Sequence, residues 1–276
     1  MGTSKYKDTL FIDLDKVVKE KMGRKARFLP QFVLSFLKRL VRQDELNAMI
    51  AAANGKQGVD FMEHCMDYMH NKVVVKGLEN LPKNGTFTFV SNHPLGGQDG
   101  IIICYVLGRH YNGRIKCIVN DLLMALSPLR DIFVPTSNIG KQTRAYSQRI
   151  NELFRSEENL LIFPAGICSR KQNGVISDLA WKKSFITKSL EHHRDVVPMY
   201  FEGRNSSFFY NLANWCKRLH IKFNVAMLFL PDEMLKNKNK IFRLTIGEPI
   251  PWQTFDDGKT PVQWAQHVKE IVYNLK

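Results

Sequence analysis

Three apolar runs in this chain end in loops rich in glycine, proline and polar residues, and this pattern constrains the fold most. Phe87-Thr-Phe-Val90 runs into Ser91-Asn-His-Pro-Leu-Gly-Gly-Gln-Asp-Gly100, and Ile101 to Leu107 then reads as a helix. Leu160-Leu-Ile-Phe163 runs into Pro164-Ala-Gly166, and Val196 to Phe201 into Glu202-Gly203. Four further β-rich runs appear at Val73–Val75, Ile115–Val119, Ile132–Val134 and Phe242–Ile246. Helix-like runs lie near 100–109, 140–155, 178–191 and 207–220, and Pro261 to Leu275 reads as a last helix. Strands alternating with helices predict a largely parallel or mixed sheet flanked by helices, a single α/β domain over 72–276.

Residues 1–71 have another texture, an N-terminal helical segment. Pro30 marks a helix start, after which Phe32, Val33, Phe36, Leu37, Leu40 and Val41 recur at helical spacing. Lys38, Arg39 and Arg42 flank that stripe. It either packs on the α/β core or lies in the plane of a bilayer. The 276 residues include 44% hydrophobic and 11% aromatic residues, which excludes a disordered chain. The net charge of +14 favours an anionic partner. No RNP, helix-turn-helix or finger signature accompanies it, so a nucleic-acid partner is not expected. The five cysteines have no CxxC pair, which fits a reducing compartment and no metal site. No signal core and no run of about 18 apolar residues is present, so any membrane contact is expected to be peripheral.

The strand ends carry candidate chemistry. Ligands in open α/β sheets bind beyond the carboxyl ends of strands. His93 lies at such an end, and Asp99 is within loop reach of it. Histidine is the usual base at neutral pH, and a carboxylate fixes its tautomer. Gly96 and Gly97 would allow close backbone approach and could lend amides to an oxyanion. In the second loop, Ser169 and Arg170 offer a hydroxyl and a planar cationic fork suited to carboxylate or phosphate. Trp181-Lys-Lys183 adds positive charge on what reads as a helix. The seven other histidines lack ligand spacing, and Cys168 reads as a neighbour of the site.

Taken in order, these blocks resemble the glycerol-3-phosphate and lysophospholipid acyltransferase family over residues 73 to 250. The family's Asn-His, four residues, Asp is matched by Asn92-His93 and Asp99 with five residues between. Its Phe-Pro-Glu-Gly becomes Phe163-Pro164-Ala165-Gly166, followed by Ser169-Arg170, and its Val-Pro strand by Val197-Pro198. The acceptor-binding block belongs at Asn120 to Asn138, where the usual Arg is not evident. The extra loop residue, Ala165 and the displaced Arg170 resemble a branch labelled hemolysin, together with bacterial amino-acid-lipid O-acyltransferases; that label implies no pore.

The resemblance implies transfer of an acyl group from acyl-acyl carrier protein or acyl-CoA to the hydroxyl of a lyso-glycine or lyso-ornithine lipid, with no other cofactor. His93 would be the base and Asp99 its orienter. Phe163, Pro164, Gly166, Ser169 and Arg170 would hold the acceptor's anionic head. The expected location is the cytoplasm, peripheral on the inner face of the membrane. The alternatives are a 1-acylglycerol-3-phosphate acyltransferase and, from another class, a non-catalytic lipid- or nucleic-acid-binding protein. The presence of both His93 and Asp99 argues against the latter.

Overall fold

The computed structural model describes residues 12–136, 144–221 and 224–276. Parts of the expected acceptor block (Asn138) and of the run near 140–155 lie outside them, as do residues 1–11. Four helices open the described chain: α1 (Leu14–Met22), α2 (Gln31–Leu40), α3 (Gln43–Ala52) and α4 (Gly58–Tyr68). Asp13 caps α1 by accepting from the amides of Asp15 and Lys16. Pro30 stands in extended backbone immediately before α2.

The strands β1 (Lys72–Lys76), β2 (Thr88–Ser91), β3 (Ile115–Val119), β4 (Phe133–Pro135) and β5 (Asn159–Ile162) follow. A hairpin of β6 (Arg170–Gln172) and β7 (Val175–Ser177) comes next, then β8 (Val196–Glu202) and β9 (Ile241–Ile246). The intervening helices are α5 (Gln98–His110), α6 (Arg144–Arg155), α7 (Ser184–His192), α8 (Ser207–Arg218) and α9 (Leu230–Leu235), and α10 (Pro261–Asn274) closes the chain.

Seven strands form one sheet in the order β1-β9-β8-β2-β5-β3-β4. All neighbours are parallel except β8 and β9, so the sheet is mixed. Side chains along β2 alternate between faces, as the strand period requires. Phe89 joins the core under α3, α4 and α5, while Val90 joins the one under α7 and α10. Both faces are therefore covered, which is why the central strands read as unbroken apolar runs. The buried Arg194 donates to the carbonyls of Phe154 and Glu158 and pins the end of α6 to the entry of β8.

All seven expected strands of the main sheet are present, and four features differ from expectation. α5 starts at Gln98, which puts Asp99 in its first turn. α7 starts at Ser184, so Trp181–Lys183 is a loop, and Trp181 is buried in the core under α7 and α10. The β6–β7 hairpin turns on Asn173-Gly174, both at positive φ, the Asn-Gly signature of a tight hairpin. The six residues of α9 are too few for a periodic signal.

Within α2, Leu34 is the one buried residue. Of the stripe, Phe32 and Phe36 are 75% and 61% exposed, while Val33, Leu37, Leu40 and Val41 are half-buried. No described helix is long and apolar enough to cross a membrane.

Candidate active site

The strand order sets β8, β2 and β5 side by side at the centre of the sheet, running in parallel. Their carboxyl ends deliver three loops to one place. The loop after β2 is the middle one, and its neighbours hold it on both sides. Asn92 exchanges two hydrogen bonds with the backbone of Phe201 on β8, donating to its carbonyl at 2.9 Å and accepting from its amide at 2.7 Å. Asn205, beyond β8, donates to the Pro94 carbonyl at 3.2 Å. From the other side, the Ser169 amide donates to the His93 carbonyl at 2.8 Å. The His93 amide donates to Asp178 Oδ1 at 3.2 Å.

The His93 side chain is fixed as firmly. Its Nδ1 lies 3.0 Å from Asp99 Oδ2, and its ring stacks on Phe163 with centroids 4.0 Å apart. Asp99 is fully buried. Besides the imidazole it accepts from the amides of Leu95 (2.9 Å), Gly96 (3.3 Å), Gly97 (3.0 Å) and Gly100 (2.9 Å). Burial alone would push its pKa up. The neighbouring His93 charge, the hydrogen bond to it and the backbone amides outweigh burial and hold the carboxyl below its usual value.

An ionised carboxylate at Nδ1 selects the tautomer with its proton on Nδ1. Nε2 is then the free basic nitrogen. Such an imidazole can accept the proton of an attacking hydroxyl and return it to a leaving group.

The loop geometry depends on Gly96. Its φ is +75°, and a Cβ there would stand 2.9 Å from Leu230 Cδ1 and 3.0 Å from Cys168 Cβ. Gly96 and Gly97 direct their amides at Asp99. Those amides orient the carboxylate.

A family model for acyltransferases matches residues 16–276. The chain belongs to the acyltransferase family. It is 58% identical over 269 residues to a lyso-glycine lipid O-acyltransferase of Phocaeicola vulgatus, covering 97% of this chain and 96% of that one. It is 57% identical over 269 residues to another of that name from Bacteroides thetaiotaomicron, covering 97% and 99%. A solved structure of a 1-acyl-sn-glycerophosphate acyltransferase from Thermotoga maritima aligns over 96% of this chain and 89% of that one, at 18% identity and a TM-score of 0.48.

The acyltransferase brings its second loop against the first, with a different division of labour from that expected. Phe163 covers one face of the imidazole. Ser169 is buried and donates its hydroxyl to Asp178 Oδ1 at 2.6 Å, so the hydroxyl serves the scaffold. Arg170 donates to the carbonyl and Sγ of Cys168 (2.8 and 2.9 Å) and to Asn224 Oδ1 (3.3 Å), with its guanidinium 5.5 Å from the Phe209 ring. Among the described residues it has no carboxylate partner, so its charge is not neutralised. Pro164 accepts from the Lys182 amide at 3.1 Å. Gly166 turns at φ +73°, and a Cβ on it would meet the Lys182 ammonium at 2.8 Å. The buried Cys168 thiol is pushed up by burial, which Arg170 only partly offsets, so it is protonated at neutral pH.

Two residues central to the acyltransferase site escape the sequence reading. Asn92 was legible only as half of the Asn-His pair. Asp178 is a buried hub that accepts from the His93 amide, the Ser169 hydroxyl and Trp181 Nε1 (3.0 Å). It lies in a stretch that reads as helix, and no local pattern marks it.

Proposed function

We propose that this acyltransferase moves an acyl group from an acyl thioester, acyl-acyl carrier protein or acyl-CoA, to the hydroxyl of a lyso-amino-acid lipid, lyso-glycine lipid first. The observation that carries the reading is the buried, amide-held Asp99 at Nδ1 of His93. His93 Nε2 takes the proton as the lipid hydroxyl oxygen attacks the thioester carbonyl. The tetrahedral intermediate expels the thiolate, which takes that proton back from the imidazolium, and an ester remains. The thioester is the only co-substrate required. The names of the two relatives support the acceptor.

The test is to give the purified protein lyso-glycine lipid, or lysophosphatidate, with an acyl thioester, and to follow thiol release and new ester by mass spectrometry. Ester on lyso-glycine lipid is expected. Preferential acylation of lysophosphatidate would overturn the acceptor assignment.

Arg170 suits the acceptor's carboxylate head, because it carries a planar fork without a carboxylate of its own. Arg170→Ala should raise the acceptor KM by about tenfold or more, the usual worth of a charge-assisted hydrogen bond. Acceptor-independent thioester hydrolysis should change little. Equal loss in both would place the head group elsewhere.

The acceptor is a lipid, so the protein would work peripherally, on the inner face of the cytoplasmic membrane. The exposed Phe32 and Phe36, beside the basic Arg39, support an anionic bilayer as the surface that α2 meets. Phe36→Ala should weaken binding to anionic vesicles with the melting temperature nearly unchanged, since Phe36 fills no core site. A lowered melting temperature with normal vesicle binding would make α2 a packing element.

A further inference from the structure

We propose that the outward face of α8 is a second bilayer-contacting surface, set directly beside Arg170. This rests on the reading of the acceptor as a lipid. One side of α8 is core, through Phe209, Tyr210 and Cys216. The outward side presents Phe208, Trp215 and Leu219 at spacings of seven and four, with Ile221 just beyond the helix. All four are exposed, Trp215 and Leu219 at 66% and 68%. Large apolar side chains aligned on one helix face form the kind of patch that water-facing surfaces avoid.

The charge around that face names its occupant. From Gly203 to Pro231 the sequence has no Asp or Glu. Arg204, Lys217 and Arg218 are exposed there, and among the described residues none of them pairs with a carboxylate. Tryptophan and leucine beside unpaired cations match an anionic lipid interface. A soluble acidic protein would answer the charges but not the apolar stripe.

This face is tied to the site and to α2. Phe209 lies under the Arg170 guanidinium, and Asn214 donates to the Lys171 carbonyl at 3.1 Å, so α8 rests on the strand that carries Arg170. The short α9 joins the rest. Glu233 accepts from the amide and hydroxyl of Ser206 at the start of α8 (2.6 and 2.7 Å). Asp232 pairs with Arg42 in the turn between α2 and α3 (2.9 Å), and Leu230 packs on Gly96 of the His93 loop. A bilayer meeting α8 would thus present lipid next to Arg170.

The test uses the full chain and vesicles of phosphatidylcholine and phosphatidylglycerol, some with brominated acyl chains. Trp181 and Trp264 are buried and Trp252 is half-buried against the His193 ring, while Trp215 is 66% exposed, so Trp215 should carry most of the bromine quenching, and Trp215→Phe should remove that part. Trp215→Ala with Leu219→Ala should lower vesicle partitioning by about tenfold or more without lowering the melting temperature. The proposal is overturned if vesicles bind while Trp215 stays unquenched, or if the double variant partitions like wild type. It is also overturned if that variant loses acyl carrier protein binding in place of vesicle binding. Acyl transfer measured in parallel separates this from the acceptor assignment. Quenching without transfer leaves the surface standing and removes the acceptor; transfer without quenching removes the surface.

Discussion

Replacing His93 by alanine should lower acyl turnover by ~10²–10⁴, the usual contribution of a positioned general base. The fold should survive. The His93 backbone is held by Ser169 and Asp178 through its own carbonyl and amide, and neither bond involves the imidazole. The side chain is partly exposed and stacks on one ring, so its removal opens space at the mouth of the site. The effect should fall on the acyl-transfer step, with acceptor KM little moved, because the proton is taken only as the hydroxyl attacks. Single-turnover transfer from a radiolabelled thioester measures it, with circular dichroism as the control. Wild-type turnover in a folded His93→Ala protein would remove His93 from the mechanism.

His93 and Asp99 were legible in the sequence because both belong to the segment into which strand β2 empties. An apolar run followed by Asn-His and a glycine pair is a local signal, and Asp99 lies within the reach of such a loop. The sheet was legible for the same reason: its central strands are buried on both faces and read as continuous apolar runs. What the sequence left obscure depends on contacts distant along the chain. Asp178 reaches the site only because the hairpin β6–β7 folds back, and its partners His93 and Ser169 lie 85 and 9 residues away. The direction of an amide is equally invisible. Gly96 and Gly97 read as donors for substrate, while the tight turn at Gly96 aims them at Asp99. The α2 stripe shows the same limit from the other side. Its periodicity fits a core helix and an interfacial one alike, and it does not tell that Phe32 and Phe36 stand exposed while Val33, Leu37 and Leu40 are half-buried.

Asp99→Asn should be costly in both activity and stability, and its stability effect should depend on pH. Asparagine fits the space, yet whichever way its amide turns, the NH2 faces donors. On the Oδ1 side it meets the amides of Gly97 and Gly100; on the Oδ2 side it meets His93, Leu95 and Gly96. Opposing donors in a fully buried site should destabilise by about 3 kcal/mol, or roughly 5–10 °C in a chain of this size. Turnover should fall by ~10²–10⁴, because the imidazolium loses its counter-charge and Nδ1 its ionised acceptor.

The pH dependence follows from the depressed pKa of Asp99. Its stabilisation is present in full above the ordinary carboxylate value of about 3.9 and is lost as pH falls through the lower folded value. The stability gap between wild type and Asp99→Asn should therefore be wide near neutrality, shrink as pH falls below about 3.9, and close only below the depressed folded value, where a protonated Asp99 comes to resemble the amide. Urea unfolding of both proteins across that range reads the gap directly. Parallel profiles would show that Asp99 is not held as a carboxylate and does not select the Nδ1-protonated tautomer of His93.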